Sequence, residues 1–381
     1  MKKMAVGVMS GTSLDGIDVV LASIEGSYQK TRVQMLAYEL FPFSSELKLK
    51  IKDAMRNETT SLPLITSLNM ELGYAFGYAA KSLVEKEGYS LDQINFVASH
   101  GQTIWHINED DGKYVKSSLQ LGDGSAIASI VKTTVVSNFR LADIASGGIG
   151  APLVPYVDYL LFSDQKKSRS LHNLGGISNM TVLKANGTED DVFAFDTGPA
   201  NLMIDQAMMT LYGKPYDDNG NVARSGEVIT DMLYELMSHP YLKMEPPKST
   251  GRELFGDHYT EMILNRYKEH KKEDIVRTLT QFTADSIVKA YHGDVLNHIK
   301  LDEIIFSGGG AYNSYLLELI ENELKPIQIK KLEDYHYDSK AKEALAFLVL
   351  GNETLNHQPS NMLGATGAKH KAILGQINYF R

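Results

Sequence analysis

The chain repeats one structural unit: an apolar run, a turn rich in glycine and hydroxyl residues, and a second apolar run. In the first half, Ala5–Met9 and Asp18–Ile24 flank the turn within MSGTSLDGID. In the second half, Ser170–Leu174 leads into GGISN, and the chain returns through MTVLKANG and DVFAFDTGPAN. Short apolar runs bounded by glycine predict strands joined by hairpins. A unit that occurs twice predicts two similar α/β domains that face one another.

Segments between these strands have apolar residues at helical spacing. Apolar residues recur every three or four positions in stretches that predict helices: Leu64–Leu83, Asp274–His298 and Ser339–Leu355. Glycine and proline cluster at Ser137–Pro152, where we expect a domain break. We therefore predict mixed sheets flanked by helices, with domains at 1–140 and 141–381 and a C-terminal helix that can pack back on the first domain.

The charge balance argues against nucleic acid and membrane partners. Lys and Arg number 38 and Asp and Glu number 47, so the net charge is −9, and a surface of that sign repels phosphate backbones and anionic lipid. There are no cysteines, which excludes disulfides and thiolate nucleophiles. The longest apolar run is too short to span a membrane. The sequence thus predicts a soluble, cytoplasmic protein.

Three glycine-rich turns, each directly after a predicted strand, are the main functional signal: Ser10–Asp18, Gly175–Asn179 and Ser307–Asn313. Glycine lets backbone N–H groups converge on an anion, and Asp15 or Asp18 can hold Mg²⁺, directly or through water. Taken singly, each turn can also be an ordinary strand end, because glycine and aspartate are common turn residues. The Walker phosphate loop and the Rossmann glycine motif are both missing.

Two carboxylates are candidates for chemistry. Asp196 follows the apolar strand of FAFDTGPAN and precedes a Gly-Pro turn, a position from which it can take a proton from water or a sugar hydroxyl. Its alternative role is to cap the turn. Glu343 opens KEALAFLVLG and is either a substrate acceptor or a partner of the helix dipole.

Three basic or amide side chains are candidates for ligand binding. SHGQTIWH carries His100 and Gln102, which either hydrogen-bond a ligand or belong to a packed polar loop. No carboxylate stands at metal-binding spacing from the histidine, so we do not expect a metal there. Arg140 can pair bidentately with a ligand carboxylate, or it can form a surface or interdomain ion pair.

Taken in order, eight segments resemble the anhydro-N-acetylmuramic acid kinase family of the sugar kinase, actin and heat-shock chaperone ATPase superfamily. They are VGVMSGTSLDGIDVVL, SHGQTIWH, GAPLVPYVD, HNLGGISNM, FDTGPAN, KSTGRELFG, FSGGGAYN and KEALAF, from residue 5 to about residue 370. The resemblance implies two ribonuclease-H-like (actin-like ATPase) domains with mixed sheets, which close over ATP at an active-site cleft between them. It also implies a homodimer.

The resemblance carries roles onto particular residues. Asp196 becomes the general base, and Asp15 and Asp18 become the metal candidates. Substrate contacts are implied for His100, Gln102, Arg140 and Glu343. The implied nucleotide contacts are Gly11, Thr12, Ser13, Leu14, Asp15, Gly16, Ile17 and Asp18 in the first phosphate loop, Gly175, Gly176, Ser178 and Asn179 in the second, and Gly308, Gly309, Gly310 and Asn313 in the adenosine-side turn.

The implied reaction joins hydrolysis to phosphorylation. A 1,6-anhydro sugar has no free 6-hydroxyl, so water attacks the anomeric carbon while the oxygen on C6 attacks the γ-phosphate of Mg-ATP. Domain closure is expected to exclude bulk water. Two alternatives stay open: a kinase for another amino sugar such as N-acetylglucosamine, and a non-catalytic, actin-like nucleotide-binding protein.

Three positions depart from the pattern that the resemblance leads us to expect. Asn173 stands where second phosphate loops of the superfamily begin with aspartate, which removes one metal-ligand candidate. Ile149 stands where glutamine is expected, and Ala200 where glycine is expected. None of the three changes the expected base.

Overall fold

The computed structural model describes residues 2–11, 14–246 and 248–380. Within these ranges the strands are β1 (Lys3–Ser10), β2 (Ile17–Glu25), β3 (Arg32–Phe41), β4 (Phe96–Ile107), β5 (Ser117–Leu121), β6 (Thr134–Ser137), β7 (Arg169–Leu174), β8 (Ile177–Leu183), β9 (Phe193–Pro199), β10 (Glu303–Ser307), β11 (Gln328–Lys331) and β12 (Gln376–Asn378).

The α-helices of the same ranges are α1 (Ser45–Ala54), α2 (Leu62–Lys86), α3 (Gly124–Val131), α4 (Arg140–Ala145), α5 (Val154–Phe162), α6 (Asn201–Tyr212), α7 (Asn221–Ser225), α8 (Thr230–Met237), α9 (Arg252–Phe255), α10 (Asp257–Arg266), α11 (Lys272–Ala290), α12 (Ser314–Leu324), α13 (Lys342–Leu355) and α14 (Leu363–Thr366). Short 3₁₀ turns and one π-helical turn at Tyr291–Val295 complete the described elements.

Two compact units divide the chain. Unit 1 comprises the residues up to Leu161 together with those from Lys340 onward, and unit 2 comprises Phe162–Ser339. The boundary predicted between residues 140 and 141 therefore lies inside unit 1. The carboxylate of Asp143, just beyond that point, explains the difference, because it accepts hydrogen bonds from the side chains of Asn361 and Thr366 near the C-terminus.

The sheets of the two units have the same core topology. In unit 1 the order is β12-β6-β4-β1-β2-β3, with β5 paired to β4, and in unit 2 it is β11-β10-β7-β8-β9. In unit 1, β1, β2 and β3 pair antiparallel in chain order, and β1 also pairs in parallel with β4. In unit 2, β7, β8 and β9 pair antiparallel in the same way, and β7 also pairs in parallel with β10. This is the ribonuclease-H-like order, so the predicted α/β class with mixed sheets is confirmed.

Helices cover the sheet of unit 1 on both faces, which is why β1 is buried from Ala5 to Ser10. Helix α2 packs Leu68, Leu72 and Phe76 into the core, and these residues recur at the four-residue spacing of one helix face. Helix α13 packs on β1 and β4. Gly7 permits that close approach, since an added Cβ would lie 2.1 Å from the carbonyl oxygen of Ala344.

The core of unit 2 lies between its sheet and helices α11 and α12. Apolar residues of β7, β8, β9 and β10 pack there with those of the two helices. No helix in the described part of the chain is both long enough and apolar enough to cross a membrane.

Candidate active site

The β1–β2 hairpin of unit 1 is held by two buried polar side chains. The Ser10 hydroxyl donates to Oε1 of Gln102 at 2.6 Å and also lies 3.1 Å from the Gly16 carbonyl oxygen. Nε2 of Gln102 donates to the Gly11 carbonyl oxygen at 3.3 Å. Gln102 is fully buried, so its side chain braces the hairpin from within, and its contact with substrate stays a prediction.

Two described residues at the tip of this hairpin offer only backbone groups to a ligand. Leu14 and Ile17 are each 4% exposed and pack in the core, so only their backbone atoms remain for the nucleotide contacts predicted from the sequence. Leu14 has a φ of +59°, a left-handed conformation that a leucine rarely adopts. Asp15 is exposed, while Thr12 and Ser13 lie outside the described residues.

Asp18 lies on β2 with its carboxylate half-buried. Its Oδ1 accepts a hydrogen bond from the Tyr38 hydroxyl at 2.6 Å. Burial raises the pKa of Asp18, the Tyr38 hydrogen bond lowers it, and the neighbouring Asp15 carboxylate raises it. The repulsion that the Asp18 carboxylate feels from Asp15 fits a divalent cation, and Mg²⁺ would keep waters and phosphate oxygens as its other ligands.

Arg140 and His100 form a fixed pair in unit 1. His100 Nδ1 lies 2.9 Å from the Gly101 carbonyl oxygen, and because a carbonyl only accepts, Nδ1 carries the proton. Nε2 is then the acceptor for Nε and Nη2 of Arg140, at 3.1 and 2.8 Å. Burial and the charge of Arg140 lower the pKa of His100 well below its usual range, as this neutral form requires.

The remaining donors of Arg140 are partly free. Nη1 donates to the Gly150 carbonyl oxygen at 2.7 Å, while burial lowers the pKa of Arg140 to about 10 and the charges of Glu343 and Asp143 raise it. A guanidinium carries five N–H donors, so donors remain for a ligand. Both ring nitrogens of His100 are engaged in these hydrogen bonds, and the substrate contact expected of His100 stays a prediction.

Helix α13 adds Glu343 and Phe347 to this group. They stand one helical turn apart, and the Phe347 ring lies 4.6 Å from that of His100. Glu343 is open to solvent, yet the dense protein around its carboxyl raises its pKa, the Asp18 charge raises it further, and the cations of Lys342 and Arg140 lower it. Asp18, Arg140 and Glu343 thus interact electrostatically within unit 1.

The second glycine-rich turn, between β7 and β8, is held by helix α6 and by a buried polar chain. Backbone amides of Ala200, Asn201 and Leu202 donate to the carbonyl oxygens of Gly175 and Gly176, so the residue at the unexpected Ala200 position closes the turn through its backbone. The departure at Ile149 is similar, since its amide donates to the Thr366 carbonyl oxygen in unit 1.

Ser178 is fully buried, and its nucleotide contact stays a prediction. Its hydroxyl lies 2.7 Å from Nε2 of His172 and accepts from Thr197 Oγ1 at 2.6 Å. His172 Nδ1 lies 2.9 Å from the Tyr291 hydroxyl, which donates to Ser170. These hydrogen bonds form a buried chain that fixes the β7–β8 turn: Thr197–Ser178–His172–Tyr291–Ser170.

A row of polar residues crosses the sheet of unit 2. In the strand register Ser307 is opposite Asn173, Asn173 is opposite Asn179, and Asn179 is opposite Asp196. Directly opposite residues share one face of a sheet, so the register brings Asn179 and Asp196 together. Ser307 Oγ is buried without a hydrogen-bond partner among the described residues.

The third turn packs against the second through two asparagines. An added Cβ at Gly308 would lie 2.6 Å from Asn173 Oδ1, and one at Gly310 would lie 2.9 Å from Asn201 Oδ1. Gly309 is exposed. Asn313 Oδ1 accepts from the Leu316 amide and caps α12; the nucleotide contact expected of Asn313 stays a prediction.

Asp196 is held in one orientation. Its Oδ2 accepts from the Thr250 amide at 2.8 Å and from the Ser249 hydroxyl at 3.1 Å, while its backbone carbonyl accepts from the Tyr241 hydroxyl. Oδ1 has no hydrogen-bond partner within the described residues. Burial raises the pKa of Asp196 to about 6, although both hydrogen bonds lower it.

Sequence reasoning assigned no role to Ser249 or Thr250. They lie in KSTGRELFG, one of the segments that carry the resemblance. Two adjacent hydroxyl residues in such a segment could have indicated a polar contact. Among the described residues, no group of three or more histidine or acidic side chains could hold a metal on its own. Any Mg²⁺ would therefore depend on ligands from water and phosphate.

Comparison with known proteins gives a consistent result. The model of the anhydro-N-acetylmuramic acid kinase family matches residues 3–380. A relative of that name from Francisella tularensis subsp. novicida (strain U112) is 53% identical over 378 residues, covering 99% of both chains. One from Bacillus thuringiensis subsp. konkukian (strain 97-27) is 47% identical over 376 residues, covering 98% of both. Among solved structures, the activator of the 2-hydroxyisocaproyl-CoA dehydratase from Clostridium difficile has a TM-score of 0.45 at 12% identity, over 93% of this chain and 96% of that one.

Proposed function

The chain belongs to the anhydro-N-acetylmuramic acid kinase family, and from this premise we propose that it opens 1,6-anhydro-N-acetylmuramic acid by hydrolysis while phosphorylating the C6 oxygen. The products are N-acetylmuramic acid 6-phosphate and ADP, in a reaction of peptidoglycan recycling and amino-sugar catabolism. The observation that carries the proposal is Asp196, whose Oδ1 is free of hydrogen bonds to the described residues while its pKa is about 6.

Asp196 acts as the general base. A pKa of about 6 leaves the carboxylate ionised at neutral pH but more basic than an ordinary aspartate, which suits proton transfer from water. Oδ2 is held by Ser249 and Thr250, so Oδ1 takes the proton. Because Oδ2 is fixed, the carboxylate cannot rotate freely, and Oδ1 stays in one position.

Unit 1 supplies the charged contacts. Arg140, fixed by His100 and the Gly150 carbonyl, binds the carboxylate of the muramic acid, and Glu343 accepts a hydrogen bond from a sugar hydroxyl. His100 and Gln102, which the sequence placed at the substrate, act by positioning Arg140 and the β1–β2 hairpin.

The nucleotide contacts come from backbone groups of the glycine-rich turns, Gly11–Asp18, Gly175–Asn179 and Gly308–Gly310. ATP supplies the phosphoryl group, and Mg²⁺ neutralises its charge when bound. Asp15 and Asp18 are the side chains that would hold the metal, directly or through water. The cleft between domains, the homodimer and the cytoplasmic location stay predictions.

The test uses purified protein with Mg-ATP and four sugars: anhydro-N-acetylmuramic acid, N-acetylmuramic acid, N-acetylglucosamine and glucose. We expect ADP release only with the anhydro sugar, a product heavier by phosphate plus water, and loss of turnover in Asp196→Asn. Asp285→Asn is the matched control, because Asp285 is another carboxylate of unit 2 whose burial raises its pKa.

Phosphate transfer without addition of water, to any sugar, would identify the other amino-sugar kinase instead. ATP binding without turnover on any sugar would identify a non-catalytic nucleotide-binding protein.

A further inference from the structure

The segment Lys248–Thr250 is irregular in structure and is hydrogen-bonded to Asp196 of β9. The Asp196 amide donates to the Lys248 carbonyl oxygen at 3.1 Å, and the next two residues hold the Asp196 carboxylate. Three hydrogen bonds therefore join the segment to Asp196.

Lys248 anchors this segment from within the protein. Its side chain is 3% exposed, its Nζ donates to the Met244 carbonyl oxygen at 2.8 Å, and it lies 3.6 Å from Asp294 Oδ2. The same ammonium lies 5.7 and 5.6 Å from the ring centres of Phe195 and Tyr241, at distances that permit attraction between a cation and an aromatic ring. A buried anchor of this kind gives the following two residues a defined position.

Two polar atoms beside this anchor have no hydrogen-bond partner among the described residues. One is Asp196 Oδ1, and the other is the Thr250 hydroxyl, whose Oγ1 is buried. A buried hydroxyl without a partner is costly, and such atoms in a native protein call for a ligand or a water. The Thr250 amide is already 2.8 Å from the other oxygen of Asp196, so the hydroxyl belongs to the residue that holds the base.

We propose that the Thr250 hydroxyl and Asp196 Oδ1 together hold the water that attacks the anomeric carbon. Water has two O–H donors, so one can point to Oδ1 and the other to Thr250 Oγ1, which leaves an oxygen lone pair directed at the sugar. In the step, the water oxygen bonds to C1 as the C1–O6 bond breaks. O6 bonds to the γ-phosphorus as ADP leaves, and one water proton passes to Asp196. This inference rests on the proposed function.

Two variants separate the hydroxyl of Thr250 from its amide. Thr250→Val is nearly isosteric and keeps the amide that holds Oδ2, but it removes the hydroxyl. Thr250→Ser restores the hydroxyl on a smaller side chain. Thr280→Val is the matched control, because Thr280 is a buried threonine of α11 whose hydroxyl donates within its own helix.

The measurement is kcat and KM on the anhydro sugar, with sugar affinity by calorimetry in the absence of ATP. We expect Thr250→Val to lower kcat about 30-fold to 100-fold, as loss of a group that orients a reacting water should. KM and sugar affinity should stay within about twofold of wild type. Thr250→Ser should recover most of the lost rate, and Thr280→Val should match wild type.

Other outcomes overturn the inference in identifiable ways. A wild-type kcat in Thr250→Val, or a Thr250→Ser variant as slow as the valine variant, would show that the hydroxyl does not hold the water. A loss confined to sugar affinity would make Thr250 a sugar contact instead. If the wild-type protein itself does not turn over the anhydro sugar, the proposed function fails and the attacking water goes with it.

Discussion

The two units share a strand order but hold their hairpins by different means. In unit 1, Ser10 and Gln102 brace the β1–β2 turn, and the charged side chains Asp18, Arg140 and Glu343 influence one another nearby. In unit 2, a buried chain of hydrogen-bonded side chains centred on His172 fixes the β7–β8 turn. A single carboxylate, Asp196, lies on the strand beyond it.

The difference indicates that one fold can suit either ligand recognition or proton transfer. A group of opposed charges suits recognition of an anionic substrate and a metal, because its members set one another's ionisation. A single carboxylate held by hydrogen bonds suits proton transfer, because its pKa depends on few neighbours. We expect changes in unit 1 to alter binding through several groups at once, and changes in unit 2 to act one group at a time.

The largest effect is expected from Arg140→Met in unit 1. Removing this cation takes away the partner of the substrate carboxylate and favours protonation of Glu343, whose pKa the Arg140 charge lowers, so kcat/KM for the anhydro sugar should fall about 1000-fold. Arg140→Lys keeps the charge but loses the fork shared by His100 and Gly150, and should fall about 30-fold to 100-fold.

The matched control is Arg277→Met in unit 2, an arginine that bonds to Gln281 and lies over Tyr315. It should leave kcat/KM within about twofold of wild type. If Arg140→Met and Arg277→Met behave alike under steady-state assay, the charged group of unit 1 is not a binding site.

A stability measurement on Asp196→Asn tests whether the base of unit 2 is costly to the fold. The pKa of Asp196 is about 6 in the folded protein against 3.8 for the free side chain, so the folded state binds the proton more tightly. Stability is therefore lost as pH rises from about 4 to 6 and stays lost above that range. Replacing the carboxyl by a neutral amide should stabilise the protein at pH 7.5 by up to about 3 kcal/mol.

Urea unfolding at about pH 4 and pH 7.5 checks this. The gain should vanish at the lower pH, where the carboxyl is protonated in the folded protein. An equal gain at both pH values would mean that packing, and not ionisation, separates the variant from wild type.

Sequence patterns predicted the duplicated sheets well because strand periodicity and glycine turns are local signals. They also single out Asp196, Arg140 and Glu343 as candidates for the site, and these assignments stay predictions. They could not tell a hydroxyl or amide that faces a ligand from one that braces the fold. Gln102 and Ser178 were predicted at the site, yet both are buried in contacts with residues distant along the chain or across the sheet.

The domain boundary was missed for the same reason. Residues after Arg140 stay with unit 1 because Asp143 bonds to Asn361 and Thr366, a contact that spans more than half of the chain. No local pattern announces such a pairing.

His172→Phe should have a moderate effect that is specific to unit 2. It removes the partner of both Ser178 and Tyr291, which should cost about 2 kcal/mol of stability. Because it loosens the turn that we assign to phosphate, KM for ATP should rise about tenfold while KM for the sugar stays near wild type. Steady-state kinetics with each substrate varied in turn provide the measurement.

Tyr291→Phe is the matched control, since it removes the hydroxyl on the other side of His172 from Ser178 and leaves Ser178 bonded to His172. It should cost about 1 kcal/mol with little change in KM for ATP. An equal rise in KM for both substrates in His172→Phe would point to general loosening of unit 2.

The smallest effect is expected from Ser249→Ala, and it tests whether Asp196 really depends on so few neighbours. The Ser249 hydroxyl stabilises the ionised carboxylate, while the Glu253 charge opposes ionisation and the Thr250 amide supports it. Losing the hydroxyl should therefore raise the pKa and move the acidic limb of kcat/KM, centred near pH 6, upward by about half a pH unit. The limb should keep the slope of a single ionisation, because one group controls it.

Ser238→Ala, which removes a hydroxyl bonded to Tyr234 at the end of α8, should leave the limb in place. A limb that becomes steeper, or that moves in both variants, would mean that Asp196 titrates together with other carboxylates as the groups of unit 1 do.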